Sequence, residues 1–325
     1  MAHVPKERLC GDIANQHGDA VQRLTRLPIL TVVKTVSLCV GLLVFLAASA
    51  AATGIGEVRG RPFHLRVPAS YNGSRPVPLV VLLHGLQVTS TYQETYMHIG
   101  DAADANGVIF AYPDGTRGPA GPFWNGAGCC QDPLTPPVDD VGYIRDIINY
   151  VRTRYRLDEG KIFLIGHSNG AFMASRYVCE RSDVAAIVTM SGGQYLSPVA
   201  CNGFSFLRTS VLHIHGTNDE IVPYGGVGTA PGVGVLIGVP TARVTVANWR
   251  LRNGCIFPIE HRLADIDLDS SILGAETSPV YYDCVNASVE FWTMRGAPHV
   301  PTFYQTPERS FGHFALAWLL SHGRS

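Results

Sequence analysis

The chain is 325 residues long, 46% hydrophobic and 16% charged, with a formal net charge of −1. This is the composition of a well-buried globular protein, and the near-zero charge gives no reason to expect nucleic acid or an anionic membrane surface as a partner. Neither an internal repeat nor a long charged run is present, so the chain reads as one large domain behind a leader.

The leader occupies residues 1–52. Residues 35–52 are almost entirely apolar, Arg23, Arg26 and Lys34 precede them, and Ala48-Ser49-Ala50 supplies an A-x-A cleavage signal. Export to a secreted, extracytoplasmic location is the expectation. The alternative is an uncleaved membrane anchor, since the apolar run is just long enough to span a bilayer. Cys39 follows Leu38 rather than a small residue, which speaks against a lipid-modified cysteine. The basic region is long for a secretory signal, which points to a start downstream at a non-Met codon, because the next methionine, Met97, falls inside the domain. The domain itself is expected to run from 53 to 325.

Beyond the leader, strand and helix patterns alternate. FHLRVP (63–68) alternates apolar and polar residues, as a solvent-facing edge strand would. PLVVLLHG (78–85) and VIFAYP (108–113) are continuous apolar strands, and VGYIRDIINYVRTRY (141–155) is an amphipathic helix with Asp139 or Asp140 as its N-cap. KIFLI (161–165) reads as a buried parallel strand and AFMASRYVCE (171–180) as a helix, with Phe172, Ser175, Arg176 and Cys179 at i, i+3, i+4 and i+7. VAAIVTMSG (184–192) and SVLHIHG (210–216) are further strands. The glycine-rich run 224–240 has neither period and reads as a surface loop, not a phosphate cradle. A helix follows at 241–254 with Gly254 as C-cap, then a strand at VEFWTM (289–294) and a closing helix around 311–322. Such alternation predicts an α/β fold with a mostly parallel central sheet covered by helices on both faces.

Between KIFLI and its helix lies Gly166-His167-Ser168-Asn169-Gly170, a match to G-x-S-x-G. A serine on a sharp strand-to-helix turn needs small neighbours, and strand, turn and helix are all in place, so Ser168 is the candidate nucleophile. A serine hydroxyl is a poor nucleophile near neutral pH, so an imidazole must take its proton, and a buried carboxylate must fix that imidazole's tautomer. Asp219 stands just past SVLHIHG, and His299 follows VEFWTM in a loop, giving the order nucleophile, acid, histidine. Asp265, Asp267 and Asp269 compete for the acid but follow no core strand. His313 competes for the base but lies on a helix. His84, His213 and His215 sit in or at the ends of strands and read as structural or pocket-lining. Oxyanion donors are expected at the backbone N–H groups of Asn169 and Leu86, each worth about 3–4 kcal/mol of barrier.

At these motifs the chain resembles the secreted polyhydroxybutyrate depolymerase and feruloyl esterase family of α/β-hydrolases, related to the carbohydrate esterases that deacylate xylan. The resemblance runs from about residue 58 to the C-terminus. It is carried by RVPASYNGSRPVPLVVLLHG, by FWNGAGCC (123–130) paired with VDDVGYI (138–144), by GHSNGAFMA, by HIHGTNDEIVPY (213–224) and by VPTARVTVANWRLRNGC. It implies a triad of Ser168, Asp219 and His299 and a carboxylic ester hydrolase working through an acyl-enzyme. The family's histidine loop is usually glycine-rich with a Trp after the histidine. Here it reads Gly296-Ala297-Pro298-His299-Val300-Pro301, a departure that bears on substrate preference.

Of eight cysteines, Cys10 and Cys39 leave with the leader, and an even six remain for an oxidising compartment. Proximity favours Cys179–Cys201 and Cys255–Cys284, leaving Cys129 and Cys130 as a vicinal pair or partly free. Asp265, Asp267, Asp269 and Glu276 echo a calcium loop, but Ser270 takes the glycine position and no helices flank it, so no metal and no cofactor are expected. Asn72 and Asn286 head glycosylation sequons. Phe123, Trp124 and Tyr224 are the candidate substrate contacts, on a rim built from 123–130 and 224–240. The expected partner is a small ester or an ester-bearing polysaccharide or polyester, met by a monomer. With no visible room for a binding module, a soluble acyl or aryl ester is favoured over a crystalline polymer face. The alternatives are an acetyl xylan or small-lipid esterase, or an inactive binding protein on a hydrolase scaffold.

Overall fold

Continuous apolar runs bury both faces of a strand, and here they build the middle of one large sheet. The computed structural model describes residues 51–126, 130, 138–194, 209–226, 228–230, 234–236, 239–255 and 259–324. Residues 1–50 of the leader, Cys129 and Cys201 lie outside these. In chain order the elements begin with β1 (Ala52–Val58), β2 (Arg61–Val67), β3 (Val77–Leu83), α1 (Ser90–Met97), α2 (Ile99–Ala105) and β4 (Ile109–Pro113). Then come the small pair β5 (Thr116–Gly118) and β6 (Gly121–Phe123), α3 (Asp140–Arg152), β7 (Leu157–His167), α4 (Asn169–Glu180), β8 (Ala186–Met190) and β9 (Ser210–Gly216). The chain continues through β10 (Gly228–Ala230), β11 (Gly234–Leu236), α5 (Ala242–Asn253), β12 (Glu260–Arg262), β13 (Thr277–Tyr282), β14 (Val289–Met294) and α6 (Phe311–Ser321).

Ten strands form the main sheet in the order β1-β2-β4-β3-β7-β8-β9-β14-β13-β12. Every pairing from β4 across to β14 is parallel, and both flanks are antiparallel. The two-residue period of a strand divides β3 between two cores. Leu79, Val81 and Leu83 pack with Ile144, Ile148 and Met173 of α3 and α4. Val80 and Leu82 pack on the other face with Ala103, Phe311 and Leu316 of α2 and α6. Both faces of the sheet are therefore covered, as the alternating pattern predicts.

Three local outcomes refine the sequence reading. The strand at 63–68 is not an edge, because β1 pairs outside it from Ala52 to Val58. The register leaves Gly56 opposite Phe63, whose ring would stand 2.4 Å from an added Cβ, so the glycine makes room for a buried aromatic. Its Ala, Thr and Gly content hides β1 at the leader's end. Asp139, not Asp140, caps α3, accepting from Gly142 N–H at 2.8 Å. Asp140 is buried and accepts instead from Asn125 N–H at 2.9 Å and Arg61 at 3.1 Å. The glycine-rich run at 224–240 contains the antiparallel pair β10–β11.

The predicted Cys255–Cys284 disulfide is present. It joins the end of α5 to the turn between β13 and β14, and a closed loop of 29 residues restricts the unfolded chain by about 3–4 kcal/mol on the loop-entropy view. Cys130 and Cys179 are also disulfide-bonded; Cys201, the partner expected for Cys179, lies outside the described residues. Among the described residues no helix is long and apolar enough to cross a membrane.

Candidate active site

The parallel strands β3, β7, β9 and β14 all end at one edge of the sheet, and the candidate residues sit on the turns that leave it. Ser168 links β7 to α4 with φ 53° and ψ −119°, a conformation that costs a non-glycine residue of order 1–3 kcal/mol and persists only where the surroundings enforce it. The enforcement is visible at the two motif glycines. A Cβ on Gly166 would lie 2.2 Å from the Gly170 carbonyl oxygen, and one on Gly170 would lie 2.0 Å from that of Leu83. Helix and strand pass too close for any side chain there.

Asp219, just past β9, is 4% exposed and His299, past β14, is 7% exposed. His299 Nδ1 lies 2.8 Å from Asp219 Oδ2 and 3.0 Å from Oδ1. A carboxylate can only accept, so Nδ1 carries the proton and Nε2 is left as the basic nitrogen. The Asp219 carboxylate also accepts the N–H groups of Ile221 at 3.0 Å and Val222 at 2.8 Å. Burial alone would raise its pKa, but the hydrogen bonds and charge of His215 and His299 outweigh burial and hold it well below the usual carboxylate range.

The histidine loop is tied down along its length. His167 Nε2 donates to the His299 carbonyl at 3.0 Å, Tyr96 Oη to that of Pro301 at 2.8 Å, and Ser270 N–H to that of Thr302 at 2.7 Å. Burial, with His299 alongside, pushes the His167 pKa down to about 3, so this anchor stays neutral. Gly216 at the end of β9 packs so closely that an added Cβ would meet the Ala297 carbonyl oxygen at 2.3 Å. These ties hold a loop rich in proline where the resembling family uses glycine.

Ser168 and His299 line one pocket of about 260 Å3, together with Leu86, Gln93, Cys130 and His167. The two side chains make no direct hydrogen bond to each other here, a looseness common before substrate is bound. Asn169 is the first residue of α4, where an amide has no partner within the helix, and its N–H follows directly on Ser168. Its carboxamide is clamped to the Trp124 backbone by bonds of 2.7 and 2.9 Å, which orients that amide. Leu86 follows β3 on the opposite lip, between residues whose own amides are engaged by Gln93 and Pro122.

The rim differs from the expectation. Trp124 is wholly buried, with its indole N–H on the His84 carbonyl at 3.1 Å, and Phe123 is 2% exposed. Tyr224 lies against His215 and Phe291 and faces the Thr293 hydroxyl at 3.3 Å. None of the three lines the pocket. Its apolar wall is made by Val88, Tyr92, Phe172, Ile221, Val222 and Val300, with Tyr92 62% and Val300 47% exposed at the mouth. Phe172, Val222 and Val300 are chain neighbours of Ser168, Asp219 and His299, which is the signal that could have found them. Tyr92 and Tyr96 lie on α1, whose polar sequence carries no apolar stripe.

The competing residues are elsewhere. His313 is exposed on α6. Asp265 pairs with Arg295, Asp267 with Arg309, and Asp269 accepts from Ser271 N–H at 2.9 Å. Among the described residues no cluster of His, Cys, Asp or Glu has the grouping to hold a metal ion. His84 is a buried structural histidine, Nδ1 donating to Gly85 O at 2.7 Å and Nε2 accepting Gly115 N–H at 2.8 Å.

The fold is shared with known proteins. A solved acetyl xylan esterase from Aspergillus awamori superposes over 82% of this chain and 98% of its own, with a TM-score of 0.54 at 14% identity. The chain has the α/β-hydrolase fold. The family model described as phospholipase/carboxylesterase matches residues 139–230, a span that holds Ser168 and Asp219. Feruloyl esterase B of Piromyces equi is 27% identical over 59% of this chain and 35% of its own length. A putative esterase of Nocardia uniformis subsp. tsuyamanensis is 30% identical over 52% of this chain and 48% of its own. The match therefore spans between a third and a half of these relatives' lengths. They bear out the feruloyl esterase side of the resemblance read from the motifs.

Proposed function

We propose that this protein is a secreted serine esterase that hydrolyses carboxylic esters through an acyl-enzyme. The observation that carries the reading is the convergence, in one pocket, of a serine at φ 53° with an imidazole whose Nδ1 is bonded to a buried carboxylate. Ser168 Oγ attacks the ester carbonyl while His299 Nε2 takes its proton. The N–H groups of Asn169 and Leu86 receive the oxyanion. Collapse expels the alcohol, protonated by His299, and leaves the acyl group on Ser168. Water then attacks the acyl carbonyl as the same nitrogen takes its proton, and collapse breaks the Ser168 Oγ–acyl bond, that proton passing to Oγ as the acid leaves. Asp219 stays ionised throughout and keeps the imidazole in the productive tautomer.

The pocket sets the acyl preference. Its apolar walls and volume of about 260 Å3 suit an aromatic or medium acyl group, which buries its surface there, better than acetyl, which leaves most of the space to water. A recess of this size admits one acyl unit and not a crystalline polymer face. Export is supported by the A-x-A signal behind an apolar run and by the disulfide in the folded domain.

The test is a panel of aryl esters with acyl groups from acetyl to hydroxycinnamoyl, assayed beside a suspension of polyhydroxybutyrate granules. We expect kcat/KM to rise by about tenfold or more from acetyl to the aromatic acyl group, on the scale of a few buried methylenes. Granule clearing should be weak or nil. Clearing at rates rivalling soluble-ester turnover, or an acetyl ester as best substrate, would overturn the preference. Failure to hydrolyse any ester would overturn the function.

A further inference from the structure

The reaction described pairs Asp219 with His299, yet a second histidine approaches the same carboxylate oxygen. His215 Nε2 lies 3.3 Å from Asp219 Oδ2 and 2.7 Å from the carbonyl oxygen of Val222. His215 Nδ1 is 3.3 Å from His213 Nε2, and His213 Nδ1 is 3.0 Å from Thr189 Oγ1. All three side chains are at most 2% exposed. Buried polar groups at these distances form a string. The Val222 carbonyl can only accept, so His215 Nε2 carries the hydrogen. Between the two rings, His215 Nδ1 and His213 Nε2 share one hydrogen. His213 Nδ1 pairs with the Thr189 hydroxyl, which also reaches the Leu212 carbonyl at 3.4 Å. A lone pair at His215 Nε2 would face two oxygens, so this end of the string is a donor turned toward the carboxylate.

We infer that Thr189, His213 and His215 are positioning residues that hold a second imidazole N–H against Asp219, beside the bond from His299. This inference rests on the reading of Ser168, His299 and Asp219 as a triad. Two further observations fit it. Burial, reinforced by His215, holds the His213 pKa well below its usual value, which keeps His213 neutral. For Asp219, burial acts upward and the hydrogen bond from His215 is the largest influence opposing it, ahead of that from His299. Alternation in β9 places both histidines on one face, where Thr189 of β8 stands beside His213 in register. The same N–H holds the Val222 carbonyl, so the string also fixes the segment whose amides at Ile221 and Val222 bind the carboxylate.

The consequence has a sign. With the string intact, the charge on Asp219 is shared between two imidazole donors. Without it, the charge acts on His299 alone, holds the imidazolium more strongly and makes the triad protonate at higher pH. The other groups facing this region are His167 on the elbow, Tyr224 edge-on to His215 at 5.8 Å and Phe291 stacked on His213 at 5.7 Å.

The experiment compares His215→Phe, His215→Gln and Thr189→Val in the enzyme. It reads the pH profile of kcat/KM on a soluble aryl ester and the downfield proton resonance of the His299–Asp219 hydrogen bond. For His215→Phe the acid limb should move to higher pH by about half a unit or more, with the resonance displaced and kcat lowered by about tenfold. His215→Gln retains an N–H at the reach of Nε2 and should stay near wild type. Thr189→Val should shift both readouts in the same direction by less. Loss of kcat in both His215 variants with limb and resonance unmoved would overturn the inference, and so would a Thr189→Val enzyme identical to wild type. Should His215→Phe not fold, the glutamine and valine variants decide it by the same criteria. Absence of the downfield resonance from wild type, or activity surviving in Ser168→Ala, is a failure of the triad itself and is read separately.

Discussion

Replacing Ser168 with alanine should lower kcat on a soluble aryl ester by about 10⁵-fold or more, the scale on which a nucleophile is lost when triad and oxyanion donors act as a unit. The melting temperature should scarcely move. Alanine keeps the Cβ and hence the same φ of 53°, and only a hydroxyl facing the pocket disappears. His299→Ala should be comparably severe, and the double variant no worse than either single one, because the groups work as one device. Asp219→Asn should cost about 10⁴-fold by favouring the wrong imidazole tautomer. Steady-state kinetics with a thermal melt of each variant checks the set. Near-wild-type turnover in Ser168→Ala contradicts it, as does a damaging His313→Ala, since that side chain lies exposed on α6.

The second large effect falls on stability. A Cβ on Gly170 would meet the Leu83 carbonyl oxygen at 2.0 Å, the Leu83 carbonyl carbon at 2.5 Å and the His84 carbonyl oxygen at 2.7 Å. All of these are backbone atoms of β3 and its exit, so no side chain can rotate away. Helix α4 must lift from the sheet, and Gly170→Ala should destabilise the domain by about 3 kcal/mol, the upper end of overpacking costs. It should also impair turnover, because the displaced segment leads to Leu86. Gly225→Ala is the control. Nothing lies within 4 Å of its added Cβ, so it should change stability by less than about 0.5 kcal/mol. Urea unfolding of the two variants against wild type measures the difference, and equal stability would show that the elbow is looser than these distances allow.

The elbow is legible in the chain because its requirement is local. Two glycines at fixed spacing around a serine, between an apolar strand and a helix, can be read without knowing what surrounds them. Asp219 and His299 are legible because parallel strands deliver their C-terminal turns to one edge, so a residue just past an apolar run is placed by topology alone. The rim is not legible, because burial depends on partners far away in sequence. Phe123 and Trp124 look like surface aromatics in a glycine-rich motif, yet Asn169 clamps the Trp124 backbone and the His84 carbonyl takes its indole N–H. Tyr92 and Tyr96 escape notice for the opposite reason. Helix α1 buries only Ser90, Gln93 and Met97, so no periodic apolar signal announces it. Strand alternation shows that His213 and His215 share a face, but the carbonyl of Val222 that sets the proton of His215 comes from a turn whose path only the folded structure reveals.

The central claim is that Ser168 alone among the serines is activated, and covalent labelling measures this most directly. The chain is incubated with a fluorophosphonate probe, digested, and its peptides weighed. One equivalent of adduct should form on the peptide containing Ser168. It should be absent from Ser168→Ala, and its rate of formation should fall steeply in His299→Ala. An adduct on a different residue, or none at all in a folded wild-type chain, would contradict the assignment.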